Sequence, residues 1–156
     1  MGVFPLTKIH NLHNMPAESI DIYGPMKTLY LGRAAGSEKL YVNVDYVQPG
    51  AKSTKYHTHS LQEEFFLILS GTGILRMNDE EHPVKQGDFV AKPAGKGIAH
   101  QFINNGTEVL SILDCGLEAP HDVATYPDED IVYVKHLRKD FKLSEAVEDF
   151  TSDPNA

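Results

Sequence analysis

The sequence predicts an all-β fold, a sandwich or a barrel. Its apolar segments are short, they are rich in β-branched and aromatic residues, and turn residues punctuate them at regular intervals. With 41% apolar residues in 156, the chain can fill one core and carry extensions at its ends. The longest unbroken apolar run is the five residues Phe65 to Leu69, far below the roughly 20 that a membrane helix needs. Fourteen Lys and Arg stand against 22 Asp and Glu, a net charge of −8, so nothing in bulk attracts a phosphate backbone. The composition argues against a membrane span and a nucleic-acid scaffold.

Residues 1–39 mix Pro5, Pro16, Gly24 and Pro25 with short apolar stretches and read as an N-terminal arm. Met1-Gly2 opens like a myristoylation site, but Leu6 stands where Ser or Thr is wanted. Met1 to Leu12 carries no secretory pattern, and Cys115 is the single cysteine, so a cytoplasmic location is expected, with Cys115 as a small buried side chain. Leu40 to Val47 is the first clear strand, stopped by Gln48-Pro49-Gly50. Phe65 to Leu69 follows as a buried strand, then Gly73 to Met77 and the polar turn Asn78 to Glu81. Asn105-Gly106 lies between two β-rich runs and predicts a type I′ hairpin, whose central residues need positive φ. Tyr126 to Asp130 reads as a loop with a Pro turn, leading into a strand over Ile131 to Val134. Leu143 to Phe150 is expected as a short C-terminal helix capped by Ser144, with Thr151 to Ala156 frayed.

Of eight His, five (His10, His13, His82, His121 and His136) have no matching partner in sequence and read as solvated or locally hydrogen-bonded. His57-Thr58-His59 differs, because residues two apart on a strand point to one face and both imidazoles can reach one point. A strand starting at Glu64 would carry Glu64, Phe66 and Ile68 on its inward side, and His100 would share a face with Phe102 and Asn104. The neighbouring Glu63 is a rival to Glu64, since a one-residue slip exchanges them.

The spacing around these residues is regular. Gly50 is followed after six residues by His57 and His59, after four more by Glu64, and after six more by Gly71. Fifteen residues on, Gly87 leads through five residues to Pro93, then to Gly95, Gly97, His100 and Asn104. This resembles the two-part signature of the cupin superfamily, whose first block supplies two His and a Glu and whose second supplies one His. Two spacings depart from the pattern: one extra residue lies between Gly50 and His57, and His100 is three after Gly97 but five after Gly95. Both fall in loops, where insertions cost little.

The resemblance implies an antiparallel jelly-roll barrel of six to eight strands over residues 40–118, with residues 119–156 packing back over it. It implies one divalent transition metal on His57, His59, Glu64 and His100, with Glu64 preferred to Glu63 by its distance to Gly71. Such ligands suit Fe, Mn or Ni, which keep open positions for chemistry, and also Zn, Co or Cu. Burying three imidazoles and a carboxylate is costly unless each is paired, and a cation offers one solution. Strand alternation adds Lys55, Phe66 and Phe102 as pocket walls. The functional expectation is a metal-dependent enzyme of dioxygenase type on a small anionic or enolisable molecule. The alternatives are an isomerase, epimerase or decarboxylase, marked by an inward titratable residue beyond the ligands, and a non-catalytic binding or sensing module. A homodimer binding a small molecule, with no nucleic acid or membrane partner, completes the expectation.

Overall fold

A computed structural model describes residues 8–156, so the Met1-Gly2 and Leu6 readings fall outside the described residues. Strands are numbered in chain order: β1 Ile20–Tyr23, β2 Met26–Tyr30, β3 Leu40–Val47, β4 Thr58–His59, β5 Glu64–Ser70, β6 Thr72–Met77 and β7 Glu80–Lys85. They continue as β8 Phe89–Lys92, β9 His100–Ile103, β10 Leu110–Leu117, β11 Val123–Tyr126, β12 Ile131–Val134 and β13 Lys139–Lys142. All the pairings are antiparallel, as a jelly roll requires. One sheet runs β1-β2-β3-β10-β5-β8, a second β7-β6-β9, and a third β13-β12-β11-β4. Isolated bridges Lys52–Ile103 and His57–His100 connect the motif loop to β9, and no continuous ladder closes the barrel.

The core lies between the sheets. Strand β5 alternates as its sequence dictates, with Glu64, Phe66 and Ile68 buried and Glu63 and Phe65 exposed. Phe66 and Ile68 pack with Val47, Leu75, Phe102, Leu110 and Ile112. The Asn78–Asp79 turn between β6 and β7 has φ of 50° and 63°, the two positive values of a tight hairpin. Among the described residues no helix is long and apolar enough to cross a membrane.

Four expectations are corrected. The arm is partly sheet: β1 and β2 form a hairpin whose second strand pairs with β3, burying Met26 and Leu29, and Leu31–Ala35 is a short helix, α1. Asn105-Gly106 makes no hairpin, because β9 pairs with β6 while β10 inserts between β3 and β5. The loop is instead tied by Asn104, whose side chain donates to the Val47 and Glu108 carbonyls and accepts from the Gly106 amide. The C-terminal helix is absent beyond a single 3-10 turn, Leu143–Glu145, where the Ser144 amide and hydroxyl both donate to Asp130 across the chain. Cys115 is half-buried on β10 rather than enclosed.

Candidate metal centre

Local backbone geometry brings the motif together. His57 sits on the bridge to His100, and His59 lies on β4, which pairs with β11 so that Ala124 faces His59. Glu64 opens β5, opposite Lys92 at the end of β8.

Each of the first two imidazoles is held from behind. His57 Nδ1 donates to the Lys55 carbonyl at 2.7 Å, and His59 Nδ1 to Asp122 Oδ2 at 2.5 Å. With both protons committed to Nδ1, both Nε2 atoms present lone pairs, and they lie 3.0 Å apart. Glu64 Oε1 is 3.2 Å from His59 Nε2. Three lone-pair donors thus converge with no proton left between them, and His57, His59 and Glu64 offer ligand atoms within 4.8 Å of one another. A divalent cation fits that donor set.

The charges agree with this reading. Burial, with the Lys92 ammonium nearby, pushes the His57 imidazole down to about 4, so it stays neutral at physiological pH. Burial alone would raise the Glu64 carboxyl, but the Lys92 ammonium, 2.6 Å from Oε2, holds it well below the usual carboxylate range. Asp122 is likewise held low against the effect of burial, because the Leu61 amide, His59 and the Gln62 amide bind it.

His100 occupies a different position. It is buried against Phe66, its Nδ1 lies 2.8 Å from Lys92 Nζ, and the same nitrogen is 3.6 Å from Glu64 Oε2. It does not join the three-residue group.

The centre opens into a cleft of about 700 Å³, lined also by Tyr41, Asp114, Arg33 and Tyr30. The Tyr41 hydroxyl is 3.1 Å from Glu64 Oε1 and 2.9 Å from Asp114 Oδ1. One hydroxyl proton can serve only one carboxylate at a time, so the second contact needs another proton. Asp114 carries it: burial, reinforced by Asp45 and Glu64, raises its carboxyl well above the usual range. The chain of donors then runs from Asp114 to Tyr41 to Glu64.

Of the expected pocket walls, Lys55, Phe66 and Phe102, none borders this cleft. Lys55 lines a neighbouring cavity that His57 also borders, and it pairs with Glu129 at 3.9 Å. Phe66 and Phe102 are core residues packed against His100, their own rings edge to face with centroids 5.2 Å apart. None of the remaining five His lines the cleft.

Sequence reasoning missed Tyr41, Lys92, Asp114, Asp122 and Arg33. Two of them left a signal: Asp114 falls two residues after Ile112 in an otherwise apolar strand, and Lys92 two after Val90. An ionisable residue at an inward position is the informative kind of exception. Asp122 and Arg33 left none, since only folding brings their segments to the centre.

Fold and site together define a jelly-roll barrel with a His-His-Glu cluster able to hold a metal. Residues 43–116 match the family model described as Cupin domain. A protein from Acidithiobacillus ferrooxidans with the provisional name sugar phosphate isomerase is 30% identical, with 81% of each chain covered and a TM-score of 0.76. A sugar phosphate isomerase from the cupin superfamily of Silicibacter pomeroyi is 28% identical, covering 90% of this chain and 98% of that one, with a TM-score of 0.75. Protein SchB of Streptomyces halstedii is 29% identical over 98 residues, 62% of this chain and 69% of SchB. The chain belongs to the cupin superfamily.

Proposed function

We propose that this protein is a metal-dependent isomerase acting on a small phosphorylated hydroxycarbonyl compound of the sugar-phosphate class. The observation that carries the reading is the Asp114–Tyr41 pair, an inward proton-carrying group beside the ligand cluster and on the same cleft. An inward titratable group of this kind favours isomerisation over the oxygenase expectation. The likeness to the two sugar phosphate isomerases supports it.

A divalent ion bound by His57, His59 and Glu64 would supply Lewis-acid polarisation of the substrate's carbonyl and hydroxyl oxygens. The chain's own residues do the rest. Interconverting an aldose and a ketose moves one proton between adjacent carbons and another between their oxygens. The Asp114–Tyr41 pair can give and recover a proton at the cleft surface, with burial keeping it loaded at neutral pH. Arg33 is the only Lys or Arg lining the cleft. It stacks on the Tyr30 ring, 4.5 Å from guanidinium carbon to centroid, which leaves its N–H edge free to bind a phosphate.

The test is a panel of aldose and ketose phosphates in D2O, with the protein loaded in turn with Mn, Fe, Co, Ni and Zn. The expected result is interconversion with solvent deuterium appearing at the carbon next to the carbonyl. Asp114→Asn should lower kcat by about 100-fold or more with metal content unchanged. Arg33→Gln should raise KM for phosphorylated substrates by about 10-fold and leave the metal in place. Oxygen uptake in place of interconversion, or no turnover on any member with the metal site full, would sink the reading.

A further inference from the structure

Lys92 is 1% exposed, a rarity for this side chain. Its place is set by sheet register: Lys92 on β8 stands directly across from Glu64 on β5, and both side chains point inward. Its Nζ lies 2.6 Å from Glu64 Oε2, 2.8 Å from His100 Nδ1 and 3.4 Å from the His57 carbonyl. Glu64 Oε2 has no aligned hydrogen bond, so its contact with Lys92 is an ion pair.

These contacts divide the carboxylate. Oε1 faces His59 and Tyr41 on the ligand side, and Oε2 faces Lys92 and His100. They also settle the tautomer of His100. An ammonium has hydrogens and no lone pair, so Nδ1 accepts from Lys92 and the imidazole proton resides on Nε2. A nitrogen bearing a proton cannot ligate a metal.

We propose that Lys92 takes His100 out of the metal's coordination shell, so that His57, His59 and Glu64 alone hold the ion and Lys92 and His100 position Glu64. The inference rests on the metal-binding part of the functional reading and is independent of the reaction catalysed. Its consequence is chemical. Three protein ligands leave a six-coordinate ion three open positions where the four-ligand arrangement leaves two, enough for a chelating substrate and one further oxygen. Glu64 would offer a bound ion Oε1 alone, because Lys92 holds Oε2.

Metal affinity and spectra test this without reference to activity. Wild type, His57→Gln, His100→Gln, Lys92→Met and the double variant Lys92→Met/His100→Gln are titrated with Co(II), with calorimetry for affinity and the visible bands for geometry. Circular dichroism checks that each variant is folded. Wild type should bind one equivalent. His57→Gln should weaken binding by more than about 100-fold, and His100→Gln by no more than about 10-fold, the lower end of the cost of losing a supporting residue. Lys92→Met keeps the buried stem but frees His100, so affinity should rise and the Co(II) bands should move towards a four-ligand centre. That gain should vanish in the double variant. Equal losses in His57→Gln and His100→Gln would overturn the inference while leaving the metal site intact, as would a Lys92→Met spectrum identical to wild type. Failure of wild type to bind Co(II) would overturn the metal site itself, and the inference with it.

Discussion

His57 shows how one residue couples fold stability to acidity. Its imidazole falls to about 4 in the folded chain, against an ordinary value near 6.5, because burial and Lys92 disfavour the charged form. Between those two values the unfolded chain binds a proton that the folded chain refuses. Acid therefore favours unfolding across that window, and stability rises with pH through it. The chelator-treated protein should lose stability from about pH 6.5 down to about pH 4, by roughly 3 kcal/mol from this residue, with His100 adding in the same direction. Urea denaturation as a function of pH measures this, and His57→Gln should flatten the slope. Glu64 acts lower on the scale: its carboxyl is held below the ordinary value, so its contribution is lost only as pH falls beneath the ordinary carboxylate range. An unchanged slope in His57→Gln would show that the imidazole is not kept neutral by its site.

At the scale of the element, the site depends on a gap in β10. Gly116 faces both Tyr41 on β3 and Glu64 on β5, and it has no side chain to separate them. A Cβ there would lie 2.2 Å from the Glu63 carbonyl oxygen and 2.9 Å from the Tyr41 hydroxyl, both inside van der Waals contact. The tyrosine therefore crosses the strand at a glycine to reach the carboxylate. Gly116→Ala should destabilise the protein by about 1–3 kcal/mol in urea, the ordinary range for overpacking, and weaken metal binding by moving Tyr41 and Glu64 apart. Wild-type stability and affinity in that variant would mean the strands are not this close. The two-residue strand β4 makes the complementary point: it gains its partner from β11, far along the chain, and the same pairing sets Asp122 against His59.

For the whole molecule, the centre joins segments that lie far apart in sequence and belong to different sheets. The loop before β5, the strands β3, β5, β8 and β10, and the C-terminal sheet all place a side chain on it or just behind it. An ion held there cross-links these parts in the folded state only, so binding adds directly to folding stability. At 100 times its dissociation constant, a metal should add about 2.7 kcal/mol. For a chain of this size that is a rise of roughly 5–10 °C in Tm, measured by scanning calorimetry and reversed by chelator. Zero shift with a confirmed equivalent of metal bound would mean that the unfolded chain holds the ion equally well, so that no site built by the fold binds it.

Read along the chain alone, the residues set the strand-rich architecture, the inward face of β5 and the pairing of His57 with His59. All of these follow from local periodicity and from spacing within one stretch of chain. Local preference misplaced the Asn105-Gly106 turn and the Leu143–Phe150 helix, where it yields to partners distant in sequence. A jelly roll sends successive strands to different sheets, and Asp130 draws Ser144 into a long-range contact at the start of the expected helix. Only the tertiary structure decided which acids and cations surround the cluster. Lys92 meets Glu64, Tyr41 meets Asp114 and Asp122 meets His59 through antiparallel register and long-range packing, and neither can be read along a single strand.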